Sequence, residues 1–242
     1  MTSPASPEVS IILPSYEEAD NLRWLIPALQ SELRELGVCH EILVVDAEVP
    51  RDETPSICKE FGVDYVPRQG GSLYSHALLT GIARSRGRWI LCMDSDGSHP
   101  PRFVPELWSA RDRADLVIAS RYVGGGATQN PAVLIFLSYA VNLTFRLVLG
   151  FRCRDVSNSF RLYRGDYLRS LELECRNFDI LEEILLKMQL RYPDLSIEEV
   201  PFTFETRKAG KTKRDLFAFA LGYLGTLGRL HRLKKAALGK HP

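Results

Sequence analysis

The sequence predicts an α/β domain: a mostly parallel sheet with helices flanking it. Three observations predict this. Short β-branched runs alternate with stretches of helical spacing, the pattern of a sheet covered on both faces. The runs are apolar throughout, as strands buried on two sides are. Acids gather where the runs end, at Glu18, at Asp46 and at Asp94 with Asp96. In such sheets, ligands bind outside the carboxyl ends of the strands.

The elements follow in order. Val9 to Leu13 is the first strand, and Pro14-Ser-Tyr-Glu-Glu18 ends it. Leu22, Leu25, Ile26, Leu29, Leu33 and Leu36 mark a helix over 21–36, with Asp20 or Asn21 as its cap. Glu41-Ile-Leu-Val-Val-Asp46 is a second buried strand. Thr54 to Phe61 suits a helix and Asp64-Tyr-Val-Pro67 a short strand. Ser75 to Arg86 is a further helix with Gly87 as its stop. Trp89-Ile-Leu-Cys-Met then runs into Asp94-Ser95-Asp96, with Pro100 and Pro101 close behind.

The 242 residues suit one large domain. Residues 1–8 read as a loose tail, without the basic and apolar regions of a signal peptide. The domain proper spans 9–214, and 215–242 form an amphipathic helix with a basic tail. A net charge of +1 gives no reason to expect a nucleic-acid partner. The five cysteines are scattered without metal-type spacing, which fits reduced thiols in a cytosolic chain. No Gly-rich dinucleotide fingerprint follows the first strand, which argues against a dehydrogenase.

Two segments bear on membranes. Ala132 to Leu149 is strongly apolar, but Asn142 and Arg146 interrupt it and leave a run too short to span a bilayer. In Leu216 to Leu233, Leu216, Ala220, Tyr223, Leu227 and Leu230 recur at helical spacing, and Arg229, His231, Arg232, Lys234 and Lys235 cluster at the end. The pattern suits equally a helix lying in a membrane interface, basic residues on lipid phosphates, and a packing helix with a solvated tail.

Two acids one residue apart are costly at a strand end unless something positive binds there. A divalent cation carrying a diphosphate meets that need, since Mg²⁺ or Mn²⁺ takes one or two carboxylates plus substrate phosphates. A bare Asp-x-Asp is otherwise a solvated strand exit, and the wider sequence decides between the two.

That wider sequence contains, in order, Pro14-x-Tyr-x-Glu18, Val44-Val45-Asp46, Met93-Asp-x-Asp-x-x-His-Pro-Pro101, Ala114-Asp-Leu-Val-Ile-Ala-Ser-Arg-Tyr122 and Asp155-x-Ser-x-x-Phe-Arg161. Glu199-Val-Pro-Phe-x-Phe-x-x-Arg207-x-x-Gly210-x-Thr-Lys213 closes the series. Each motif alone is weak, but the ordered set is specific. It resembles the GT-A inverting glycosyltransferases of the dolichyl-phosphate mannosyltransferase and polyprenyl-phosphate glycosyltransferase family, over residues 9–214.

The resemblance implies a membrane-associated hexosyltransferase that uses a nucleotide sugar and a polyprenyl phosphate, peripheral at the cytosolic membrane face. GDP-mannose is the expected donor, with a UDP-sugar as the alternative. Asp94 and Asp96 would hold Mg²⁺ or Mn²⁺. Ser98 stands where the family often has Gln and would reach the metal, directly or through water. Pro14, Tyr16, Glu18, Val44 and Asp46 would line the nucleoside pocket, and Ser95 would offer backbone contacts. Arg207 and Lys213 would clamp the diphosphate from a loop that Gly210 lets fold; a solvated basic loop is the alternative. Arg121, Ser138 and Arg161 would meet the acceptor phosphate, or the two arginines form structural ion pairs. His99 is expected to order its loop rather than act as a base.

The chain also departs from the family. Ala47-Glu48-Val49-Pro50 follows Asp46 where a second aspartate and Gly-Ser are usual, and Leu134 replaces an arginine four residues before Ser138. The glycine-rich loop appears as Arg68-Gln69-Gly70-Gly71-Ser72-Leu73, and Ser159 replaces a glycine. These changes keep open a UDP-sugar enzyme with another acceptor, and a catalytically silent nucleotide-sugar-binding scaffold.

Overall fold

The computed structural model describes residues 6–129, 131–175, 179–205 and 216–239, with side chains in the last segment from 222 onward. Arg207, Lys213 and the rest of the basic loop lie outside the described residues. The strands are β1 (Val9–Pro14), β2 (His40–Asp46), β3 (Asp64–Pro67), β4 (Trp89–Cys92), β5 (Leu116–Ser120), β6 (Ala127–Thr128), β7 (Arg161–Arg164), β8 (Ile197–Pro201) and β9 (Thr203–Phe204). The helices are α1 (Ala19–Glu35), α2 (Thr54–Phe61), α3 (Tyr74–Arg84), α4 (Val104–Ala110), α5 (Ala132–Leu149), α6 (Gly165–Arg169), α7 (Ile180–Arg191) and α8 (Leu216–Leu238).

Seven strands form one sheet in the order β3-β2-β1-β4-β7-β5-β8, and β6 pairs with β9 beside it. All pairings are parallel except those of β7, which runs antiparallel between β4 and β5. The acidic ends of β2 and β4 therefore emerge on the same edge of the sheet as β1. Successive residues serve opposite faces, as the pleat requires. Val9, Ile11 and Leu13 join Leu22, Leu25 and Leu29 of α1 in one core, whereas Ile12 joins Leu78 of α3, Phe145 of α5 and Ile184 of α7 in the other.

Helix starts differ from expectation. Helix α1 begins at Ala19, and neither Asp20 nor Asn21 caps it. Asp52 does so from a distance: its Oδ2 accepts from Ala19 N–H at 3.0 Å, and its Oδ1 accepts from Thr54 N–H at 2.9 Å. One carboxylate thus satisfies the free amides of two helices, a link no local pattern reveals. Gly87 follows α3 for want of space as much as for a helix stop. A Cβ there would lie 2.4 Å from the Ser10 backbone nitrogen, and its N–H donates to Ser10 Oγ at 2.7 Å.

The membrane expectations need two corrections. Helix α5 runs unbroken for 18 residues at a mean hydropathy of 1.9, with 17% of them buried; by length and composition it is long and apolar enough to cross a membrane. Asn142 does not break it, because that side chain points into the protein. The basic end of α8 is partly engaged within the protein. Arg229 bridges Asp179 and Glu183 of the α7 start at 2.6 and 2.7 Å, and Lys234 donates to the Leu149 carbonyl at the end of α5 at 2.8 Å. Those two cations anchor α8 to its neighbours, so they do not belong to a cluster reserved for lipid phosphates.

Candidate active site

The acidic loop after β4 is tied down on every side. Met93 donates its N–H to the Ile12 carbonyl at 3.2 Å, and Ser95 Oγ donates to the Pro14 carbonyl at 2.7 Å. Gly97 turns the chain at φ 84°, a left-handed value that glycine adopts without strain. Asp96 Oδ1 accepts from Ser98 N–H at 3.0 Å and from Ser98 Oγ at 2.6 Å. Ser98, expected to reach a metal, thus orients Asp96 and gives its hydroxyl proton to that carboxylate. Tyr74 Oη donates to Asp94 Oδ1 at 3.1 Å. Burial and then the Asp94 charge hold the Tyr74 phenol well above its usual range.

His99 is the hub beneath this loop. It is fully buried and stacks on Phe160 at 4.7 Å, with the edges of Phe202 and Phe204 at 6.0 Å. Its Nδ1 accepts from Asp94 N–H at 2.9 Å, which places the ring proton on Nε2. Burial lowers its pKa, while the nearby Asp94 and Asp96 act the other way. A neutral, immobile imidazole that accepts from the loop backbone fits the loop-ordering role expected for it.

Among the described residues no group of three or more His, Cys, Asp or Glu could hold a metal ion. Two carboxylates are what the loop offers. Asp94 and Asp96 supply hard oxygens at a strand end, the donor set that suits Mg²⁺ or Mn²⁺ when phosphate oxygens complete the shell. The residues present therefore fit such an ion if it arrives with a diphosphate.

The neighbouring strand ends build a second recess. Asp46 is 1% exposed, its Oδ2 has no hydrogen-bond partner among the described residues, and burial raises its pKa. A buried acceptor without a donor is costly, and a ligand hydroxyl or amide would relieve it. Arg68 frames the recess: its Nη2 donates to the Ser15 carbonyl at 2.7 Å, its Nη1 to the Ser72 carbonyl at 2.6 Å, and its backbone N–H to the Asp46 carbonyl at 2.9 Å. Tyr16 is 37% exposed with the Arg51 guanidinium 5.5 Å from its ring centre. Glu18 Oε2 accepts from Asn21 Nδ2 at 2.6 Å. Between them, Glu17 holds φ 57°, the one positive value at a non-glycine among the described residues. Such strain gathers at functional turns. Val44 is fully buried within β2 and paired with Leu13, so its side chain packs the core below the recess and leaves shape and backbone atoms as what it can offer there.

On the other side, Arg121 leaves β5 and meets Asp155. Its Nε and Nη2 donate to the two Asp155 oxygens at 2.8 and 2.7 Å, and Nη2 also donates to Ser157 Oγ at 2.9 Å. The Arg121 guanidinium offsets the burial of Asp155 and holds its carboxyl below the usual range. The side chain of Arg121 is 10% exposed, and its Nη1 has no hydrogen-bond partner among the described residues. Ser138 on α5 accepts from Tyr122 Oη at 2.7 Å. Arg161 needs correcting as an acceptor ligand. It is fully buried, and its guanidinium donates to the carbonyls of Leu181, Asp155 and Val156 at 3.3, 3.4 and 2.7 Å. It braces the loop that carries Asp155.

The structure thus holds Asp94 on the buried His99, whose ring meets Phe204 beneath the Arg121 guanidinium, and Tyr122 beside Arg121 reaches Ser138. Sequence reasoning did not single out the side chains of Asp155, Tyr74, Arg68 and Asn142, whose hydrogen bonds hold this arrangement. Asp155 and Arg68 stood in quoted motifs and were legible there; nothing local marked Tyr74.

Residues 10–171 match the model of glycosyl transferase family 2. A dolichol-phosphate mannosyltransferase of Pyrococcus furiosus is 31% identical over 214 residues, 85% of this chain and 59% of that protein. This chain therefore spans less than two thirds of that relative's length. An undecaprenyl-phosphate mannosyltransferase of Micrococcus luteus is 33% identical over 224 residues, 85% of this chain and 86% of the other. In fold, the chain is similar to glucosyl-3-phosphoglycerate synthase from Mycobacterium tuberculosis, crystallised with Mn²⁺, uridine diphosphate and glucosyl-3-phosphoglycerate. The TM-score is 0.63 at 20% identity, covering 97% of this chain and 79% of that one.

Proposed function

This chain belongs to glycosyl transferase family 2, and we propose that it moves mannose from a nucleotide sugar, GDP-mannose first, to a polyprenyl phosphate. The reaction would take place at the cytosolic face of a membrane. The observation that carries the reading is the convergence of Asp94, Asp96 and Arg121 on His99, with charges of both signs at one set of strand ends. The names of its relatives supply the sugar and the lipid.

A bound Mg²⁺ or Mn²⁺ would neutralise charge developing on the departing diphosphate. Asp94 and Asp96 would hold it, with Ser98 and Tyr74 keeping those carboxylates in place. Asp46, Tyr16 and Glu18 would take the nucleoside, Asp46 by accepting a hydrogen bond at its buried oxygen. Arg207 and Lys213 would close on the diphosphate. The Nη1 of Arg121 and Ser138 would orient the acceptor phosphate, which needs no strong general base because a monophosphate with a second pKa near ~6 is largely dianionic at neutral pH. A single displacement with inversion follows from that arrangement.

The apolar residues on the outer side of α5, including Val133, Phe136 and Leu147 at 70%, 71% and 76% exposure, support a lipid-facing position. The test is a donor screen with a short polyprenyl phosphate and Mn²⁺. Mannolipid formed from GDP-mannose, and lost with EDTA, is the expected result. Transfer from a UDP-sugar would change the donor, and transfer to a soluble saccharide alone would overturn the acceptor. Nucleotide-sugar binding without turnover would leave a scaffold.

A further inference from the structure

Asn142 is the polar residue that breaks the apolar pattern of α5, and its surroundings give it a task. It is 2% exposed, and a buried amide is costly unless its hydrogen bonds are made. Oδ1 accepts from Val156 N–H at 2.6 Å, while Nδ2 donates to the Ser138 carbonyl at 2.7 Å and to Ser157 Oγ at 3.2 Å. A backbone donor on one side and a backbone carbonyl on the other fix which way the amide faces. Ser157 Oγ accepts a second time, from Arg121 Nη2. The loop from Asp155 to Asn158 is therefore held between two groups: Asn142 from α5, and Arg121 from the end of β5. Asp155 Oδ1 adds a bond from Asn158 N–H at 3.1 Å, which closes the loop on itself.

We infer that Asn142 is a positioning residue for Arg121, fixing through Ser157 and the Val156 amide the loop that aims the Arg121 guanidinium at the acceptor. The inference deepens the proposed function, and its acceptor half rests on that reading. Ser138 sits one turn before Asn142 on the same helix, so one amide sets both the arginine and the serine assigned to the acceptor phosphate. The outer face of α5 is apolar and its inner face carries this amide. The helix that would meet the lipid is thereby linked, through Ser157 Oγ, to the guanidinium that would meet the phosphate.

Two readouts separate positioning from mere folding. The first is independent of any substrate: hydrogen exchange of the Arg121 Nε–H, whose NMR signal is assigned by its loss in Arg121→Lys. Asn142→Ala and Ser157→Ala should speed that exchange about tenfold or more with the rest of the amide spectrum retained, and Ser157→Thr, which keeps the hydroxyl, should restore it. The second is kinetic. Both alanine variants should lower kcat/KM for a short polyprenyl phosphate about tenfold while the KM for the nucleotide sugar stays constant, and their effects should be less than additive in the double variant, as expected for groups that share a partner. Ser157→Ala serves should Asn142→Ala fail to fold. Unchanged Nε–H exchange in a folded variant overturns the inference, as does an equal loss for donor and acceptor. If the wild-type chain ignores polyprenyl phosphate but Nε–H exchange behaves as stated, the acceptor reading fails and the positioning role stands.

Discussion

The two flanks of the site handle charge in opposite ways. On the flank proposed for the donor, formed by the ends of β1, β2 and β4, Asp46 and Asp94 make no ion pair among the described residues. Asp46 is buried with one oxygen unsatisfied, and Asp94 is held by the neutral Tyr74. On the acceptor flank, formed by β5, the loop at Asp155 and helices α5 and α8, charge is matched inside the protein. Arg121 is paired with Asp155, and Arg229 with Asp179 and Glu183. What that flank leaves open is apolar surface along α5. Among the described residues the first side thus leaves Asp46 and Asp94 without a counter-charge and the second leaves apolar surface uncovered, which the proposed cation with its nucleotide, and the proposed lipid, would supply.

The largest expected effect tests the donor flank. Asp94→Asn and Asp96→Asn should each lower kcat roughly 10³-fold, the upper end for losing one preorganised charge-stabilising group. Their melting temperatures should not fall, because the loop's backbone bonds to His99 and Ile12 survive. Activity retained by both variants in EDTA would remove the idea that this flank needs a cation.

Two substitutions of the same kind should then move stability in opposite directions. Asp155→Asn leaves Arg121 buried without its counter-charge and should cost about 3–5 kcal/mol in urea unfolding. Asp46→Asn removes a buried charge that makes no ion pair among the described residues and feels Arg68 only at longer range, so it should be neutral or slightly stabilising, while nucleotide binding weakens. Equal losses at both positions would abolish the contrast between the flanks.

A third carboxylate sits behind the acceptor flank and belongs to neither pattern. Glu182 on α7 is fully buried, neither of its oxygens has a hydrogen-bond partner among the described residues, and burial pushes its pKa up to about 8 from the usual 4.5. The folded chain keeps this proton after the unfolded chain has lost it. Its contribution is complete below 4.5 and declines as pH rises toward 8. The slope approaches ~1.4 kcal/mol per pH unit. Glu182→Gln should remove that decline, so its stability relative to wild type should improve by roughly 2–3 kcal/mol between about pH 6 and pH 8. Parallel pH profiles for the two proteins would show that Glu182 is ionised in the folded chain.

The donor flank was the more legible in the sequence, for a physical reason. Its strands are continuous apolar runs and its functional acids stand at their ends, so period and position announce them together. The existence of β1, β2 and β4 and the placing of Asp46, Asp94 and Asp96 at strand ends came from that pattern, while the nucleoside role of Asp46 came from the family resemblance. The acceptor flank depends on pairings across long separations, which leave no periodic trace. The antiparallel insertion of β7, the grip of Asp155 on Arg121 and the burial of Arg161 became visible only in the fold. Asn142 read as a flaw in an apolar segment because its three partners lie elsewhere in the chain or along its own helix. The cap that Asp52 gives to α1 was hidden in the same way.

The smallest expected effect on stability bears on the outer face of α5. Phe136 and Leu147 are 71% and 76% exposed, so Phe136→Ser and Leu147→Ser remove little buried area. Each should change unfolding free energy by no more than about 0.5 kcal/mol, as surface substitutions usually do. Lipid contact would change that balance, because an apolar side chain entering the bilayer boundary contributes roughly 1.5–3 kcal/mol on full burial. The double variant should therefore bind liposomes at least about tenfold more weakly, since a tenfold change needs only ~1.4 kcal/mol. Nucleotide-sugar binding should stay unchanged. Added salt should weaken wild-type binding only in part, because Arg229 and Lys234 are engaged within the protein while the exposed Arg232 and Lys235 carry the attraction that salt screens. Equal liposome binding by wild type and the double variant would show that this face does not meet lipid. A loss of stability well beyond 0.5 kcal/mol would show that it is covered within the protein itself.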